Sequence, residues 1–236
     1  TRETPACFEP TIDYVVTKVP RFAFEKFAGS DSTLTTQMKS VGEAMSIGRT
    51  FKQSFQKALR SMENGRMGFG ADGREQALRD LDDDPLRDEI RRPNANRMFH
   101  LHEAFRRQWP VETVQELSRI DPWFLREMDE LVRYEDEIRR AGDLAGLRAD
   151  PGLFRQAKEF GFSDHQLAWL LDCSEDEVRA ARGELDIQPV YALVDTCAAE
   201  FEAYTPYYYS TYGDLDECRP SDRKKIMILG GGPNRI

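Results

Sequence analysis

Histidine is the first side chain to test for metal binding or acid–base catalysis, and the 236-residue chain has only three of them. His100 and His102 lie two residues apart and are followed by Glu103. Residues two apart on a helix point about 200° away from each other, so these two imidazoles cannot hold one ion together. No Ser-His-Asp or Cys-His arrangement is indicated, and we predict neither a catalytic residue nor a metal ligand in this chain.

Three glycines near the end of the sequence are the second candidate. Gly230, Gly231 and Gly232 follow Lys225–Leu229, an apolar run that predicts a buried strand. In α/β folds such a turn brings backbone amides to a phosphate at the start of the next helix, but the sequence stops before any helix. We interpret the turn as an incomplete cofactor site, with a tight turn that needs positive φ as the alternative, and predict no cofactor-binding residue.

A carboxylate in an apolar row is the third candidate. Side chains alternate between the two faces of a strand, which places Glu43 on one face with three apolar side chains, those of Val41, Met45 and Ile47. A carboxylate in such a row is costly unless it is paired or hydrated. We expect either a structural ion pair, with Lys39 or Arg49 as the partner, or a group that lines a polar passage through the protein.

Composition excludes several classes of function. The chain has 33 Lys and Arg against 42 Asp and Glu, a net charge of -9 that repels phosphates, so we predict no binding to nucleic acid. The mean hydropathy is -0.63, and no run approaches the roughly 18 apolar residues of a membrane span, so we predict no membrane partner. The four cysteines are widely spaced, which is typical of reduced thiols in a cytoplasmic protein.

The first part of the sequence predicts strands and then a helix. Residues 8–49 alternate in polarity and are rich in β-branched and aromatic side chains, so we expect them to be mainly strand. Thr50 and Gln53 have the spacing of a capping box, and the helix that follows is expected to end near Glu63. Residues 64–96 are rich in glycine and proline and are predicted to be linker-like, with one short helix at most. Asp82–Asp84 are predicted to be a solvated loop rather than a calcium loop.

From Arg97 to about Leu185 the apolar residues recur with a helical period. Ser163 and Ser174 each begin a capping box, and Asp121 precedes a proline as a helix N-cap does. Residues 111–132 and 163–182 have the pattern of a helix-turn-helix. The second of these two helix pairs is strongly acidic, so we interpret both as helix-packing units rather than as DNA-binding motifs. Residues 188–236 return to strand character.

Long stretches of the sequence resemble one protein family. Phe8–Phe22 and Leu34–Met45 resemble the end of the first synthetase half of the carbamoyl-phosphate synthase large chain. The segments that resemble its helical insert and the join into its second half are Ile120–Leu125, Glu130–Val132, Val194–Phe201, Tyr208–Tyr212 and Lys225–Ile236. The resemblance covers nearly the whole chain, and residues 64–96 are the part least similar to the family.

The resemblance implies a mainly α fold, in which a helical oligomerisation or connection domain is flanked by β-rich pieces of two ATP-grasp synthetase halves. The implied boundaries are 1–64 for the end of the carboxyphosphate synthetase domain and 65–187 for the helical oligomerisation domain. Residues 188–236 would be a linker and the first strand of the carbamoyl-phosphate synthetase domain. We expect the chain to be a piece of a longer protein whose ATP and metal ligands lie outside it.

Function follows from the same resemblance. The family's large chain is an ATP-dependent ligase that makes carbamoyl phosphate from bicarbonate, glutamine-derived ammonia and two ATP, for arginine and pyrimidine biosynthesis. ATP with Mg or Mn, and potassium, are implied for the whole enzyme and none of them for this chain, which we expect to be inactive alone. The implied partners are the glutamine amidotransferase small chain and a second copy, the latter through exposed Trp109, Trp123 or Trp169. The family's internal tunnel makes Glu43 a candidate wall group, and the alternative function is a free-standing helical protein–protein interaction module.

Overall fold

The computed structural model describes residues 4–228, and this part of the chain is mainly helical, as predicted. Two separate two-stranded antiparallel hairpins flank the helices. The strands are β1 (Val15–Arg21), β2 (Gly42–Gly48), β3 (Val190–Leu193) and β4 (Tyr208–Thr211). The helices are α1 (Phe51–Arg60), α2 (Gln76–Arg79), α3 (Asp83–Arg91), α4 (Arg97–Arg106), α5 (Val111–Ser118), α6 (Pro122–Arg140), α7 (Leu144–Ala149), α8 (Pro151–Glu159), α9 (Asp164–Leu170) and α10 (Glu175–Glu184).

The N-terminal hairpin occupies only part of the segment predicted to be mainly strand. β1 pairs with β2 so that Val15 lies opposite Gly48 and Arg21 opposite Gly42. Residues 8–14 form no strand, and the connection between β1 and β2 has a short 3-10 turn and no strand, so the prediction is wrong for residues 8–14 and 22–41. Lys39 donates hydrogen bonds to the Asp31 side chain and to the backbone carbonyls of Asp31 and Thr33. These bonds fold the connection back on itself and so oppose an extended strand.

Helix α1 begins at its predicted cap and ends earlier than predicted. The Thr50 hydroxyl accepts from the Gln53 backbone amide at 3.3 Å. The Gln53 side chain does not complete the capping box, because its carbonyl oxygen accepts from the Arg49 amide at 2.8 Å instead. The helix ends at Arg60 rather than near Glu63, which has a φ of +52° and therefore leaves the helical path.

One hydrophobic core joins α1 to the other helices. Among the fully buried side chains are Leu86, Ile90, Leu101, Leu125, Leu131, Ile138, Leu147, Phe154, Leu167 and Ile187.

The helix N-caps predicted at Asp121, Ser163 and Ser174 are confirmed. Asp121 accepts from the Trp123 amide at 2.8 Å. Ser163 and Ser174 both form complete capping boxes, which satisfy amides that a helix start would otherwise leave unbonded.

The linker prediction for residues 64–96 is wrong. This segment contains α2 and α3, and its glycine-rich loop is buried: Phe69 is 1% and Ala71 2% exposed. Gly68 and Gly70 are required by close approach, because a Cβ at either position would overlap the side chains of Gln166 or His102. The prediction that Asp82–Asp84 is a loop is also wrong, since Asp83 and Asp84 lie in the first turn of α3. Negative carboxylates are stabilised there by the positive end of the helix dipole.

The C-terminal hairpin is shorter than the strand pattern predicts. β3 pairs with β4 so that Val190 lies opposite Thr211 and Leu193 opposite Tyr208. The prediction of a buried strand at Lys225–Leu229 is wrong for the described residues: 225–228 have no strand partner, and Met227 is 84% exposed. An apolar run becomes a buried strand only where neighbouring strands pair with it. Leu229 lies outside the described residues.

Candidate functional site

The two flanking hairpins meet over α1, and we call this contact the hairpin seam. β2 and β4 touch but belong to separate sheets. One small apolar cluster is shared between the flanks, because Tyr14 and Ile47 of the N-terminal side pack against Ala192, Val194 and Tyr209 of the C-terminal side. The helical unit therefore does not separate its flanks; it places both against the same helix.

Lys57 of α1 lies at the centre of the hairpin seam. Its Nζ donates to the Ile47 carbonyl of β2 at 2.6 Å and to the Ser210 carbonyl of β4 at 2.7 Å. The ammonium also lies 5.9 Å from the centre of the Tyr209 ring. Burial, and secondly the charge of Arg60, lower the pKa of Lys57 to about 8. A single side chain thus satisfies one strand carbonyl from each hairpin.

Gln53, one helical turn before Lys57, forms a second bridge across the seam. Its side-chain oxygen accepts from the Arg49 amide at the end of β2 and from the Thr211 hydroxyl of β4, the latter at 3.0 Å. Gln53 and Thr211 are both buried, so these hydrogen bonds are shielded from water. The sequence pattern indicated Gln53 only as part of a capping box and did not indicate Lys57. The available signal was two polar residues four apart on the face of α1 that turns away from its apolar stripe.

Glu43 lies in β2, on the face of the hairpin that is turned away from α1. Its carboxylate pairs with the Lys18 ammonium of β1 at 2.9 Å, and the two side chains are 54% and 60% exposed. Met45, on the same face, is 65% exposed. The row is thus apolar in composition as predicted, but it is open to solvent around Glu43, and only Ile47 at its end is half-buried. An exposed ion pair contributes about 0–1 kcal/mol.

The partners predicted for Glu43 are wrong. Lys39 pairs with Asp31 at 3.1 Å, and Arg49 pairs with Asp13. Both predicted partners are close to Glu43 in sequence, whereas the actual partner lies on the neighbouring antiparallel strand, which places Lys18 on the same face. Whether Glu43 also lines a passage is a separate prediction that the pairing does not test.

The two neighbouring histidines of α4 occupy different surroundings. His102 Nε2 lies 2.9 Å from Glu135 Oε1 of α6, and both side chains are 2% exposed. His100 is also buried, and burial lowers its pKa. Its Nδ1 has no hydrogen-bond partner in the described part of the chain. The structure therefore does not bring the two imidazoles together, and His102 serves as a polar link between two core helices.

The glycine-rich loop is closed by a buried ionic network. Arg66 Nε donates to Asp72 Oδ2 at 2.8 Å, and the guanidinium carbon lies 4.0 Å from the centre of the Phe99 ring. Burial acts to raise the pKa of Asp72, but a hydrogen bond from the Met67 amide and the charge of Arg66 outweigh it, so this pKa is lowered. Glu75 completes the network by accepting from the Asp72 amide at 3.0 Å.

A second buried network joins α1, α8, α9 and α10. Lys158 Nζ lies 2.8 Å from Asp164 Oδ1, and Arg182 Nε lies 3.0 Å from Asp164 Oδ2. Arg60 of α1 donates to the Gly161 carbonyl at 2.8 Å. Burial lowers the pKa of Lys158 to about 8, although Asp164 opposes the change, and burial lowers the pKa of Arg60 to about 10. These cations bond to backbone carbonyls and one carboxylate, which indicates a structural role.

The three tryptophans differ in exposure. Trp123 and Phe124 at the start of α6 are 47% and 41% exposed, with ring centres 5.0 Å apart. Trp169 of α9 is 51% exposed and lies on another part of the surface, against Gly73. Trp109 is only partly exposed, because the guanidinium of an α3 arginine covers its ring. Trp123 and Trp169 are the two with accessible rings.

Three of the sequence predictions concern a metal ion, a cofactor and a membrane. In residues 4–228, no three His, Cys, Asp or Glu side chains are arranged to hold a metal ion. Gly230, Gly231 and Gly232 lie outside the described residues. No helix of the described chain is both long enough and apolar enough to cross a membrane.

Comparison with known proteins identifies the family. The protein-family model described as "Carbamoyl-phosphate synthetase large chain, oligomerisation domain" matches residues 43–186, well over half of the chain. The chain belongs to this family. The resemblance seen in the sequence is thereby confirmed. The match begins at Glu43 in β2 and ends just before β3, so it contains α1 with the whole helical unit.

Relatives of the carbamoyl-phosphate synthetase family extend the match to both flanks. Proteins named carbamoyl phosphate synthase large chain are 58% identical in Synechocystis sp. and 49% identical in Archaeoglobus fulgidus, over 100% of this chain and 21% and 22% of theirs. An arginine-specific, chloroplastic large chain of Oryza sativa subsp. japonica is 52% identical, over 100% of this chain and 20% of its own. The chain spans about a fifth of the length of these relatives.

Proposed function

We propose that the chain is the connecting segment of a carbamoyl-phosphate synthase large chain. The observation that carries the proposal is the alignment of the whole of this chain to proteins of that name at 49–58% identity, together with the oligomerisation-domain match. The parent would be an ATP-dependent ligase that uses bicarbonate, glutamine-derived ammonia and two ATP. The segment itself would connect and oligomerise without catalysing.

The domain assignment forms part of this proposal. Residues 1–64 would end the carboxyphosphate synthetase half, 65–187 would form the oligomerisation domain, and 188–236 would lead into the carbamoyl-phosphate synthetase half. The two halves would have the ATP-grasp fold and would hold ATP with Mg or Mn, and potassium. The proposal is supported by the family match, which lies between two β-hairpins rather than alone.

The proposed partners are the glutamine amidotransferase small chain and a second copy of the large chain. The first is proposed because the relatives are named as large chains, and the second because the matching family is described as an oligomerisation domain. Trp123 and Trp169 are the tryptophans with accessible rings, and we propose them as anchors for self-association. We propose a cytoplasmic enzyme of arginine and pyrimidine biosynthesis, with neither nucleic acid nor membrane as a partner.

The proposal is tested with the full-length protein that contains this segment, purified with its small chain. Carbamoyl phosphate is measured after incubation with bicarbonate, glutamine, MgATP and potassium. The expected result is carbamoyl phosphate formation with two ADP released per product. A full-length protein that binds MgATP but forms no carbamoyl phosphate from either glutamine or ammonia would contradict the proposed activity.

A further inference from the structure

The hairpin seam is closed by side chains rather than by a backbone ladder. β2 and β4 lie against each other, yet in residues 4–228 no backbone hydrogen bond joins one strand to the other. The polar contacts between them come from α1: Lys57 bonds to Ile47 and Ser210, and Gln53 bonds to Arg49 and Thr211. Shared side-chain bridges of this kind transmit the position of one hairpin to the other.

Lys57 has a geometry that distinguishes it from Lys52, the other lysine of α1. Within the described chain it forms no ion pair with a carboxylate, and both of its hydrogen bonds go to strand carbonyls. Lys52 on the same helix pairs with Glu127 at 2.9 Å and Glu130 at 2.8 Å, both on α6. The ammonium of Lys57 therefore bonds to both hairpins at the seam, whereas the ammonium of Lys52 pairs with carboxylates of α6.

The N-terminal hairpin is fixed to α1 by a further contact. The Thr17 and Ser54 hydroxyls are 2.7 Å apart, which joins β1 to the residue next to Gln53. Two successive turns of α1 thus contact β1, β2 and β4 in a single polar strip. A displacement of the N-terminal hairpin moves these atoms and changes the bonds that hold the C-terminal hairpin.

We propose that Lys57, assisted by Gln53, is a positioning residue that couples the two flanks of the segment, so that the synthetase halves attached to them act together. This inference rests on the proposed function, since it requires one half on each side. Lys57 touches no reacting atom in this proposal. Its role is to hold β2 and β4 at a fixed separation.

The structural arm of the test is backbone hydrogen exchange on the full-length protein, followed by mass spectrometry. Lys57→Met keeps the length of the side chain and removes the ammonium. We expect faster exchange in peptides that cover both 42–48 and 207–212, with α6 unchanged. Lys52→Met is the matched control, because it makes the same change on the same helix, and it is expected to alter α6 alone. Equal changes in all peptides of Lys57→Met would overturn the proposal.

The functional arm measures coupling with the small chain present. In Lys57→Met we expect bicarbonate-dependent ATP hydrolysis and ATP formation from ADP and carbamoyl phosphate to be retained. The overall synthesis should fall by roughly fivefold or more, the lower range of coupling between distant sites, with more than two ADP released per carbamoyl phosphate. Lys52→Met should keep the wild-type ratio. A proportional fall in both partial reactions, or an unchanged ratio in Lys57→Met, would overturn the coupling role.

A milder variant keeps the test decisive if Lys57→Met does not fold. Thr211→Val removes the hydroxyl that donates to Gln53 and preserves the shape of the side chain. It is expected to raise the ADP ratio in the same direction, and an unchanged ratio with faster exchange at 207–212 would contradict the proposal. Failure of the proposed function is distinguished from both outcomes, because the wild-type protein would then form no carbamoyl phosphate at all.

Discussion

Lys158 Nζ lies 2.8 Å from Asp164 Oδ1, with both side chains less than a tenth exposed. Burial nevertheless lowers the pKa of Lys158 from its ordinary 10.5 to about 8. Between these two values the folded chain binds fewer protons at this site than the unfolded chain, so its stability increases as the pH rises. The cost of burying the charged amine therefore lowers stability most at pH 7, and this cost diminishes toward pH 9, where the folded amine is mostly neutral.

Urea unfolding of the chain at pH 7.0, 8.0 and 9.5 is expected to show this increase, on the order of 2 kcal/mol over the window for each of the two lysines whose pKa is about 8, Lys158 and Lys57. Lys158→Met removes the titrating amine, and its increase should be smaller, with Lys57 contributing what is left. Above pH 10 the raised pKa of buried Tyr134 acts in the opposite direction, which sets the upper limit of the window. Parallel pH profiles for the wild type and Lys158→Met would exclude the assignment.

The Arg66 network predicts a large effect from a residue that the sequence pattern placed in a linker. Arg66→Met leaves Asp72 and Glu75 buried without their cation, and breaking a buried pair costs about 3–5 kcal/mol. Arg74→Met, an exposed arginine of the same loop, is the control and should change the free energy of unfolding by less than about 0.5 kcal/mol. Chemical denaturation measures both, and equal effects would show that the loop does not depend on the buried charge.

The contribution of the same network to stability should be lost at low pH. The lowered pKa of Asp72 means that its contribution to stability is present above its ordinary value of 3.8 and is lost as the pH falls through the lower folded value. The acid-unfolding midpoint of Arg66→Met should lie at higher pH than that of the wild type. Circular dichroism between pH 2 and 6 gives the two midpoints, and identical midpoints would count against the network.

Glu43→Gln separates a structural ion pair from a passage-lining group. Because the Glu43–Lys18 pair is exposed in this chain, the variant should change the free energy of unfolding by less than about 1 kcal/mol. In the full-length enzyme, a passage-lining role predicts lower carbamoyl phosphate formation with bicarbonate-dependent ATP hydrolysis retained. A structural role predicts that both reactions fall together with the melting temperature. Lys18→Met, which removes the partner only, should reproduce the structural outcome and not the first one.

Self-association should depend on one accessible tryptophan more than on buried aromatics. Trp123 has Phe124 beside it and so offers a larger apolar surface than the isolated ring of Trp169. Trp123→Ala is expected to weaken association of the full-length protein by roughly tenfold or more, the effect of truncating a central aromatic anchor. Multi-angle light scattering over a concentration series measures this, with Trp169→Ala as the comparison. A wild-type monomer at all concentrations would contradict self-association itself.

Local signals predicted the helical unit well, because they involve residues close in sequence. Ser163 and Ser174 reach amides three residues away, so their capping boxes are encoded within one turn. The buried loop was missed because its partners are distant: Gln166 reaches the Gly70 carbonyl across 96 positions. Composition alone cannot show that a glycine-rich stretch is wrapped around buried amides and an imidazole.

The candidate site was predicted only in part for a related reason. Alternation correctly grouped Glu43 with Met45, but the choice of ion-pair partner depended on strand register, which brings Lys18 across from β1. Lys57 was missed because its bonds go to the carbonyls of Ile47 and Ser210, and backbone acceptors have no sequence signature. Pairing between strands that α1 brings together is a tertiary property.

The most direct test of the central claim, that this segment connects but does not catalyse, is ATP turnover by the isolated 236-residue chain beside the full-length enzyme. The chain is assayed with MgATP, bicarbonate, ammonia and potassium, before and after a second purification. We predict no ATP hydrolysis and no carbamoyl phosphate from the chain, and formation of both products by the full-length protein. Bicarbonate-dependent ATP turnover that stays with the isolated chain through repurification would contradict the claim.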